Sequence, residues 1–249
     1  MKTLTWQKPG QQNVAQELIK IIINYVAELR NMRRRFEFDN NSIKIPSKNG
    51  VYYFLRDGQS VGGGANSVSP RELVRNGEGV LCVFNKRHVL ILPSSSHPSA
   101  NWGRSGEIAQ GVTDFQSMPN VYYTEEAFQG ENDSINFLNK YGDVDEYGFY
   151  KASLIESPSG AINGRIPSIG EFMVMINASE NNISVIDDHL SNFPVYTPIM
   201  YNTFYNSYLS SSQNGENYYW GCNFHDLSLT GDYHKAMAQG FVIPVASVV

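Results

Sequence analysis

The apolar positions near the N-terminus predict one long helix. From about residue 13 to residue 38, large apolar residues recur at alternating spacings of three and four, as along a coiled-coil seam. The first half is apolar on its other sides too, so it must be buried nearly all round. The rest of the chain, a self-associating bundle or a larger assembly could cover it. We expect residues 1–38 to be an arm and an assembly helix that trimerises or docks, with the seam Leu18, Ile22, Tyr25, Leu29, Met32 and Phe36.

The second half of this helix is basic. Its four arginines are Arg30, Arg33, Arg34 and Arg35. Cations near a helix C-terminus interact favourably with the helix dipole, which favours a solvated cap. Contact with nucleic acid or with an acidic partner is the alternative.

After residue 38 the pattern changes to short apolar runs separated by Gly, Asn and Ser, which is typical of β-strands and turns. Two of these runs flank Asn85-Lys86-Arg87 and predict a β-hairpin. A short acidic helix is predicted over residues 122–139. We expect a β-rich domain over residues 39–147, with strands at 42–46, 50–55, 79–84, 88–93 and 108–115.

The last third mixes short helices and strands. The apolar spacing predicts a helix from residue 168 or 170 to about 178, and a second helix or a loop over 181–190. Aromatic and apolar runs predict strands over 218–224 and 240–245. The elements together predict an α+β fold: an N-terminal helix, a β-rich middle region and an α+β region over 148–249.

Composition narrows the functional class. Charged residues make up 17% of the chain and the net charge is −5, so a broad nucleic-acid-binding face is not expected. Aromatic residues make up 12%, with 15 tyrosines, which excludes a disordered chain and favours β structure and contact surfaces. The apolar stretch 18–29 is too short to cross a membrane, and no signal peptide is recognisable, so we expect a protein that begins in a cytoplasm.

Few residues suggest catalytic chemistry. The glycine run 62–64 lacks the Lys-Ser/Thr of a phosphate-binding loop. Asp188-His189 and His225-Asp226 are adjacent pairs, and neighbouring residues point in different directions, which suits a catalytic dyad poorly. Cys82 and Cys222 lie in no metal-binding motif, so two buried thiols are expected, with one disulfide as the alternative. We therefore predict no enzyme activity, no cofactor and no metal site.

Aromatic residues crowd into one part of the C-terminal third. Rigid amphipathic rings separated by Asn and Ser make good contact surfaces, and sugar faces stack on such rings. The alternative is that many of these rings belong to the core, with a hydroxyl that reaches outward. The candidate contact surface consists of Tyr201, Tyr205, Tyr208, Tyr218, Tyr219 and Trp220.

Three patches of the last third resemble a known module. They are residues 165–172 (RIPSIGEF), 219–222 (YWGC) and 241–245 (FVIPV). This arrangement is similar to the "LPSLGEW … YWSST … RPV" domain of surface proteins of Bacteroidetes and of their phages, although Phe172 replaces the usual Trp. That domain is related to the C-type-lectin-like and formylglycine-generating-enzyme folds. The resemblance implies a C-type-lectin-like module over 148–249 with a binding or structural role. It implies no enzyme activity.

The middle third carries a second resemblance. The hairpin 79–93, followed by residues 108–112 (IAQGV), is similar to a "GDVVYYD…IGVV" segment that precedes the module in crAss-like phages of Bacteroides. The two resemblances imply a non-enzymatic structural protein of a virion: a head fibre, a capsid-decorating protein or a tail-associated protein, assembled in the host cytoplasm. Its expected partners are further copies of itself, capsid, portal or tail proteins, and host surface glycans.

Two other hypotheses remain open at this point. One is a bacterial surface adhesin or lectin. The other is an enzyme of the formylglycine-generating type or a glycan hydrolase, for which Glu171 and Asp188 are candidate carboxylates. Glycan hydrolysis needs two carboxylates that face each other across the sugar, and sequence spacing does not place these two together.

Overall fold

The computed structural model describes residues 43–117, 124–199, 207–236 and 239–248. These ranges belong to one compact unit, Ile43–Val249. The predicted assembly helix lies outside the described residues, together with its seam of Leu18, Ile22, Tyr25, Leu29, Met32 and Phe36. The described part combines helices with two β-sheets, which confirms the predicted α+β class.

Ten strands are described: β1 Gly50–Leu55, β2 Ser60–Val61, β3 Gly77–Phe84, β4 Arg87–Ile91, β5 Ser99–Ala100, β6 Tyr208–Asn214, β7 Tyr218–Asn223, β8 Ser228–His234, β9 Gly240–Phe241 and β10 Val245–Ala246. The described helices are α1 Pro70–Asn76, α2 Gly130–Tyr141, α3 Gly148–Ser153, α4 Ile169–Ala178 and α5 Ser184–Leu190, with a 3-10 helix at Glu125–Phe128.

The first sheet has the strand order β10-β4-β3-β1-β2 and is antiparallel. Its central hairpin, β3–β4, turns at Asn85 and Lys86, which both have positive φ, as a tight two-residue hairpin requires. The predicted hairpin is therefore confirmed. Helix α4 packs on this sheet, and Phe172 and Met175 are buried among the apolar side chains of β3 and β4.

The second sheet has the order β5-β9-β6-β7-β8 and is antiparallel except for the parallel pair β6–β9. A second core lies beside it. Trp102 is at its centre, with Phe137 and Phe149 packed edge-on against the indole and Tyr219 stacked on it. Aromatic rings pack well in these offset and edge-to-face arrangements.

Both sheets combine strands from before and after residue 148. Strand β10 pairs with β4 in the first sheet, and β5 pairs with β9 in the second. Each sheet therefore contains strands from both sides of residue 148. The division into a domain 39–147 and a domain 148–249 stays a prediction.

Three predicted strands differ from the structure. Residues 108–115 form no strand apart from the single bridge of Asp114 with Gln213. The Gln213 side chain takes the hydrogen bonds that a sheet partner would supply, since it accepts from Ala109 N and donates to Ala109 O and Val112 O. Residues 240–245 divide into β9 and β10, in different sheets. Residues 43–46 have no regular structure.

The predicted helices and the two cysteines agree better with the structure. The acidic helix over 122–139 is present as the 3-10 helix and α2, and the helices over 168–178 and 181–190 are present as α4 and α5. Cys82 and Cys222 are buried free thiols, as predicted. Burial raises the pKa of both thiols, so neither is a reactive thiolate at neutral pH.

Candidate functional site

The segment RIPSIGEF builds the start of helix α4. Ser168 is the N-cap, and its Oγ accepts a hydrogen bond from Glu171 N at 3.3 Å. Glu171 Oε2 in turn accepts from Ser168 N at 2.8 Å. This is the reciprocal capping box that a Ser-x-x-Glu sequence favours, and it fixes both side chains at the helix terminus.

The same glutamate forms a buried ion pair with Arg165. Arg165 Nη1 donates to Glu171 Oε2 at 2.8 Å and Nη2 donates to Glu171 Oε1 at 2.5 Å. The two residues are only 8% and 5% exposed. Burial opposes the charge of Arg165, but the Glu171 carboxylate outweighs it and leaves the pKa of Arg165 above its ordinary value. The Arg165 guanidinium therefore stays charged inside the protein.

Arg165 also joins the RIPSIGEF segment, which we call the motif, to the C-terminal end of the chain. Its backbone N–H and C=O pair with Val245, and its Nη2 donates to Ser247 Oγ at 3.0 Å. Arg165 Nε is buried and has no hydrogen-bond partner among the described residues. The motif thus links the start of α4 to the edge strand β10.

Two glycines allow the close packing around this pair. A Cβ atom at Gly130 would lie 2.6 Å from Arg165 Nη1 and 2.7 Å from Glu171 Oε2. At Gly170 it would lie 2.6 Å from the carbonyl oxygen of Ala127. Any larger residue would push α2 or the 3-10 helix away from the ion pair, so glycine is required at both positions for steric reasons.

A polar cleft of about 320 Å³ opens beside the ion pair, and we call it the motif cleft. The β3–β4 turn and the junction of the 3-10 helix with α2 form two of its walls, and the ion pair and Ser247 complete the lining. The lining residues are Lys86, Arg87, His88, Phe128, Gln129, Glu131, Asn132, Arg165, Glu171 and Ser247.

The wall formed by the β3–β4 turn is held by specific contacts. The Arg87 guanidinium pairs with Glu125 and lies 4.4 Å from the centre of the Phe128 ring. The hydrogen bond and charge of Arg87 hold the pKa of Glu125 below its ordinary value. His88 Nε2 lies 3.0 Å from the Val248 carbonyl oxygen. These contacts tie the hairpin to the 3-10 helix on one side and to the C-terminal segment on the other.

The predicted aromatic surface is largely core. Tyr201 and Tyr205 lie outside the described residues. Tyr208, Tyr219 and Trp220 are buried. Tyr208 packs against Phe224 and Phe241, Tyr219 stacks between Trp102 and Tyr233, and Trp220 Nε1 donates to the Phe115 carbonyl.

Tyr218 is the exposed ring of the four that are described, with 44% of its surface accessible. It meets the His234 ring edge-on across the β7–β8 pair. Tyr218 is the first residue of β7, and every later residue of this strand is buried, so its exposure reflects its position at the strand end.

Two of the buried ionisable residues that the sequence analysis did not single out are Asp133 and Lys235. Asp133 accepts hydrogen bonds from Thr113 N, Thr113 Oγ1 and Ser211 Oγ, each at 2.8 Å. Burial outweighs these bonds and raises its pKa to about 6. The carboxylate connects α2 to β6 and to the irregular segment before α2. Because acidic residues are common in the first turn of a helix, the sequence did not indicate that Asp133 is buried.

Lys235 is the second buried ionisable residue. Its Nζ donates to Gln213 Oε1 at 2.8 Å and to the Glu107 carbonyl at 3.0 Å, and it lies 4.7 Å from the centre of the Trp102 ring. Burial lowers its pKa to about 8. These contacts join the Trp102 ring of the second core to Gln213 of β6 and to the backbone at Glu107, so this lysine stabilises packing.

The remaining sequence candidates also have structural contacts. His189 Nδ1 lies 2.7 Å from the Val185 carbonyl oxygen, and Asp226 Oδ1 accepts from Ser228 N and Ser228 Oγ. In the part of the chain that the structure describes, His, Cys, Asp and Glu side chains form no cluster of three or more that could bind a metal. No helix among the described residues has the length and hydropathy needed to cross a membrane.

Comparison with known proteins identifies no family for this chain. No family model, curated protein or solved structure matches this chain.

Proposed function

We propose that this chain is a non-enzymatic structural component of a phage virion: a head fibre, a capsid-decorating protein or a tail-associated protein. Its residues 148–249 would have a C-type-lectin-like fold, as the resemblance of the RIPSIGEF segment implies. The proposal takes host surface glycans as the ligands of the displayed part. Residues 1–38 would hold the copies together, as a trimer, or dock them on capsid, portal or tail proteins.

The observation that carries the non-enzymatic part is that both carboxylate oxygens of Glu171 are engaged in hydrogen bonds within the protein. Arg165 occupies both carboxylate oxygens, and Ser168 N and Ser168 Oγ add two further bonds to Oε2. A general acid or base needs an oxygen free to exchange a proton with the substrate. A carboxylate held in this way instead stabilises the helix terminus and the end of the chain. The most distinctive residue of the motif therefore serves the fold.

The same observation weakens the hypothesis of a glycan hydrolase. A glycosidase needs two carboxylates on opposite sides of the scissile bond, and one of them must hold a proton near neutral pH. Both oxygens of Glu171 accept hydrogen bonds from the Arg165 guanidinium, so neither is free to face a scissile bond. Asp133 does have a pKa raised to about 6, but its two oxygens are engaged by Thr113 and Ser211 in the interior.

Electron microscopy with labelled antibodies against the full chain tests this proposal. We expect gold label on intact phage particles at a fixed position, either along the head or at the tail. Label on the surface of uninfected bacterial cells, with none on particles, would contradict the proposal and favour the adhesin. A permeabilised uninfected culture that lacks the gene is the matched control for nonspecific label.

A further inference from the structure

The motif cleft is lined by hydrogen-bond donors and by hydrogen-bond acceptors that are available to a ligand. The Lys86 ammonium is a donor and the Glu131 carboxylate is an acceptor, and neither forms a hydrogen bond within the described residues. Asn132 donates to Gln129 Oε1 at 2.6 Å, which leaves its own carbonyl oxygen to accept. Ser247 Oγ accepts from Arg165 Nη2 and keeps a hydroxyl hydrogen that can be donated.

The charges around the motif cleft balance. Its cations are Lys86, Arg87 and Arg165, and the carboxylates beside them are Glu125, Glu131 and Glu171. Arg87 and Arg165 are each paired with one of these carboxylates. Recognition of a phosphate or sulfate relies on cations that are not already neutralised. The charge balance therefore favours a neutral ligand over an anion.

A sugar fits both properties. Each of its hydroxyl groups can donate and accept, so it needs donors and acceptors close together and needs no net charge. The volume of about 320 Å³ lies at the lower end of the range for small-molecule sites, which suits one or two sugar rings. The cleft walls are fixed by the hairpin turn, the buried ion pair and a capped helix, so little ordering is needed on binding.

We propose that the motif cleft binds one neutral sugar unit of a glycan, with Glu131 and Asn132 as acceptors for its hydroxyl groups and Lys86 as a donor. This inference rests on the proposed function, because it names the ligand class with which a displayed virion protein would contact the host surface.

Saturation-transfer NMR with the full chain tests the site. The probes are methyl pyranosides of the common neutral hexoses, N-acetylhexosamines and 6-deoxyhexoses, with inorganic phosphate as the anionic comparison. We expect at least one neutral pyranoside to bind at about millimolar affinity, which is common for one small ligand with few contacts. Inorganic phosphate at the same concentration should not reduce the saturation-transfer signal of that pyranoside.

Variants locate the binding. Glu131→Gln should weaken binding of that pyranoside about tenfold, because a neutral amide accepts a weaker hydrogen bond than a carboxylate does. Asn132→Ala should have a similar effect. Glu146→Gln is the matched control, since Glu146 is also exposed but lies outside the motif cleft. Thermal melts should show that all three variants fold like the unmodified chain.

Several results would overturn the inference: no neutral pyranoside binds, phosphate displaces the sugar, or Glu131→Gln and Glu146→Gln bind equally well. None of these results concerns the location of the protein. The antibody label on particles would still support a virion protein if the cleft bound no sugar. Sugar binding without label on particles would instead leave the cleft assigned and the virion proposal refuted.

Discussion

Replacing Glu171 by Gln tests the structural role assigned to this residue. Glutamine keeps the shape of the side chain and an oxygen that can accept from Ser168 N, so the capping box can persist. It removes the negative charge that faces Arg165. Because Arg165 is only 8% exposed, water cannot solvate the charge that is left behind.

The size of the effect follows from this burial. Removing one partner of a buried ion pair costs about 3–5 kcal/mol, because the remaining charge stays desolvated. Because Glu171→Gln can keep the capping box, we expect a value near the lower end of this range. The free energy of unfolding should decrease by about 3 kcal/mol. For a domain of this size that loss corresponds to a decrease of about 6–12 °C in Tm.

Urea denaturation followed by tryptophan fluorescence measures this change, since Trp102 and Trp220 are buried in the folded state. Glu146→Gln, which alters an exposed glutamate, is the control and should change stability by less than about 0.5 kcal/mol. The double variant Arg165→Met/Glu171→Gln should recover part of the loss, because it removes the unpaired charge. The reasoning is refuted if Glu171→Gln is as stable as the control, or if the double variant is the less stable of the two.

Three further predictions concern other parts of the chain. Burial raises the pKa of Asp133 from 3.8 to about 6, so the folded state holds this proton more tightly than the unfolded state does. The contribution of Asp133 to stability is thus complete below about pH 4 and decreases by about 3 kcal/mol as the pH rises through 6; pH-dependent urea denaturation of Asp133→Asn should show that this slope is lost. Gly130→Ala should destabilise the fold by about 1–3 kcal/mol in the same assay, because the new Cβ would overlap the Arg165–Glu171 pair; unchanged stability would contradict the close packing. Deletion of residues 1–38 should convert an oligomer into a monomer in sedimentation velocity, whereas a full chain that already sediments as a monomer would refute the assembly helix.

Local signals in the sequence predicted local structure well. The short polar segment Asn85-Lys86-Arg87 predicted the β3–β4 hairpin, and the apolar spacing after residue 168 predicted helix α4. These signals act between residues that are close along the chain, so their physics does not depend on the rest of the fold. The strand predicted over 108–115 was wrong because a distant side chain, Gln213, takes the backbone hydrogen bonds of this segment.

The candidate site could not be predicted for the same reason. The motif cleft takes its lining from four separate parts of the chain: the β3–β4 turn, the junction before α2, the motif and the C-terminal segment. Nothing in the spacing of Lys86, Glu131 and Ser247 indicates that they meet. The aromatic residues near the C-terminus were a visible signal, but composition does not distinguish a buried Tyr219 from an exposed Tyr218.

Quantitative mass spectrometry of gradient-purified phage particles tests the central claim most directly. If the chain is a structural component of the virion, its peptides will be recovered at a constant ratio to those of the major capsid protein, through repeated gradients and after a wash in high salt. Recovery of the peptides in the bacterial envelope fraction, with a ratio that falls at each purification step of the particles, would contradict the account.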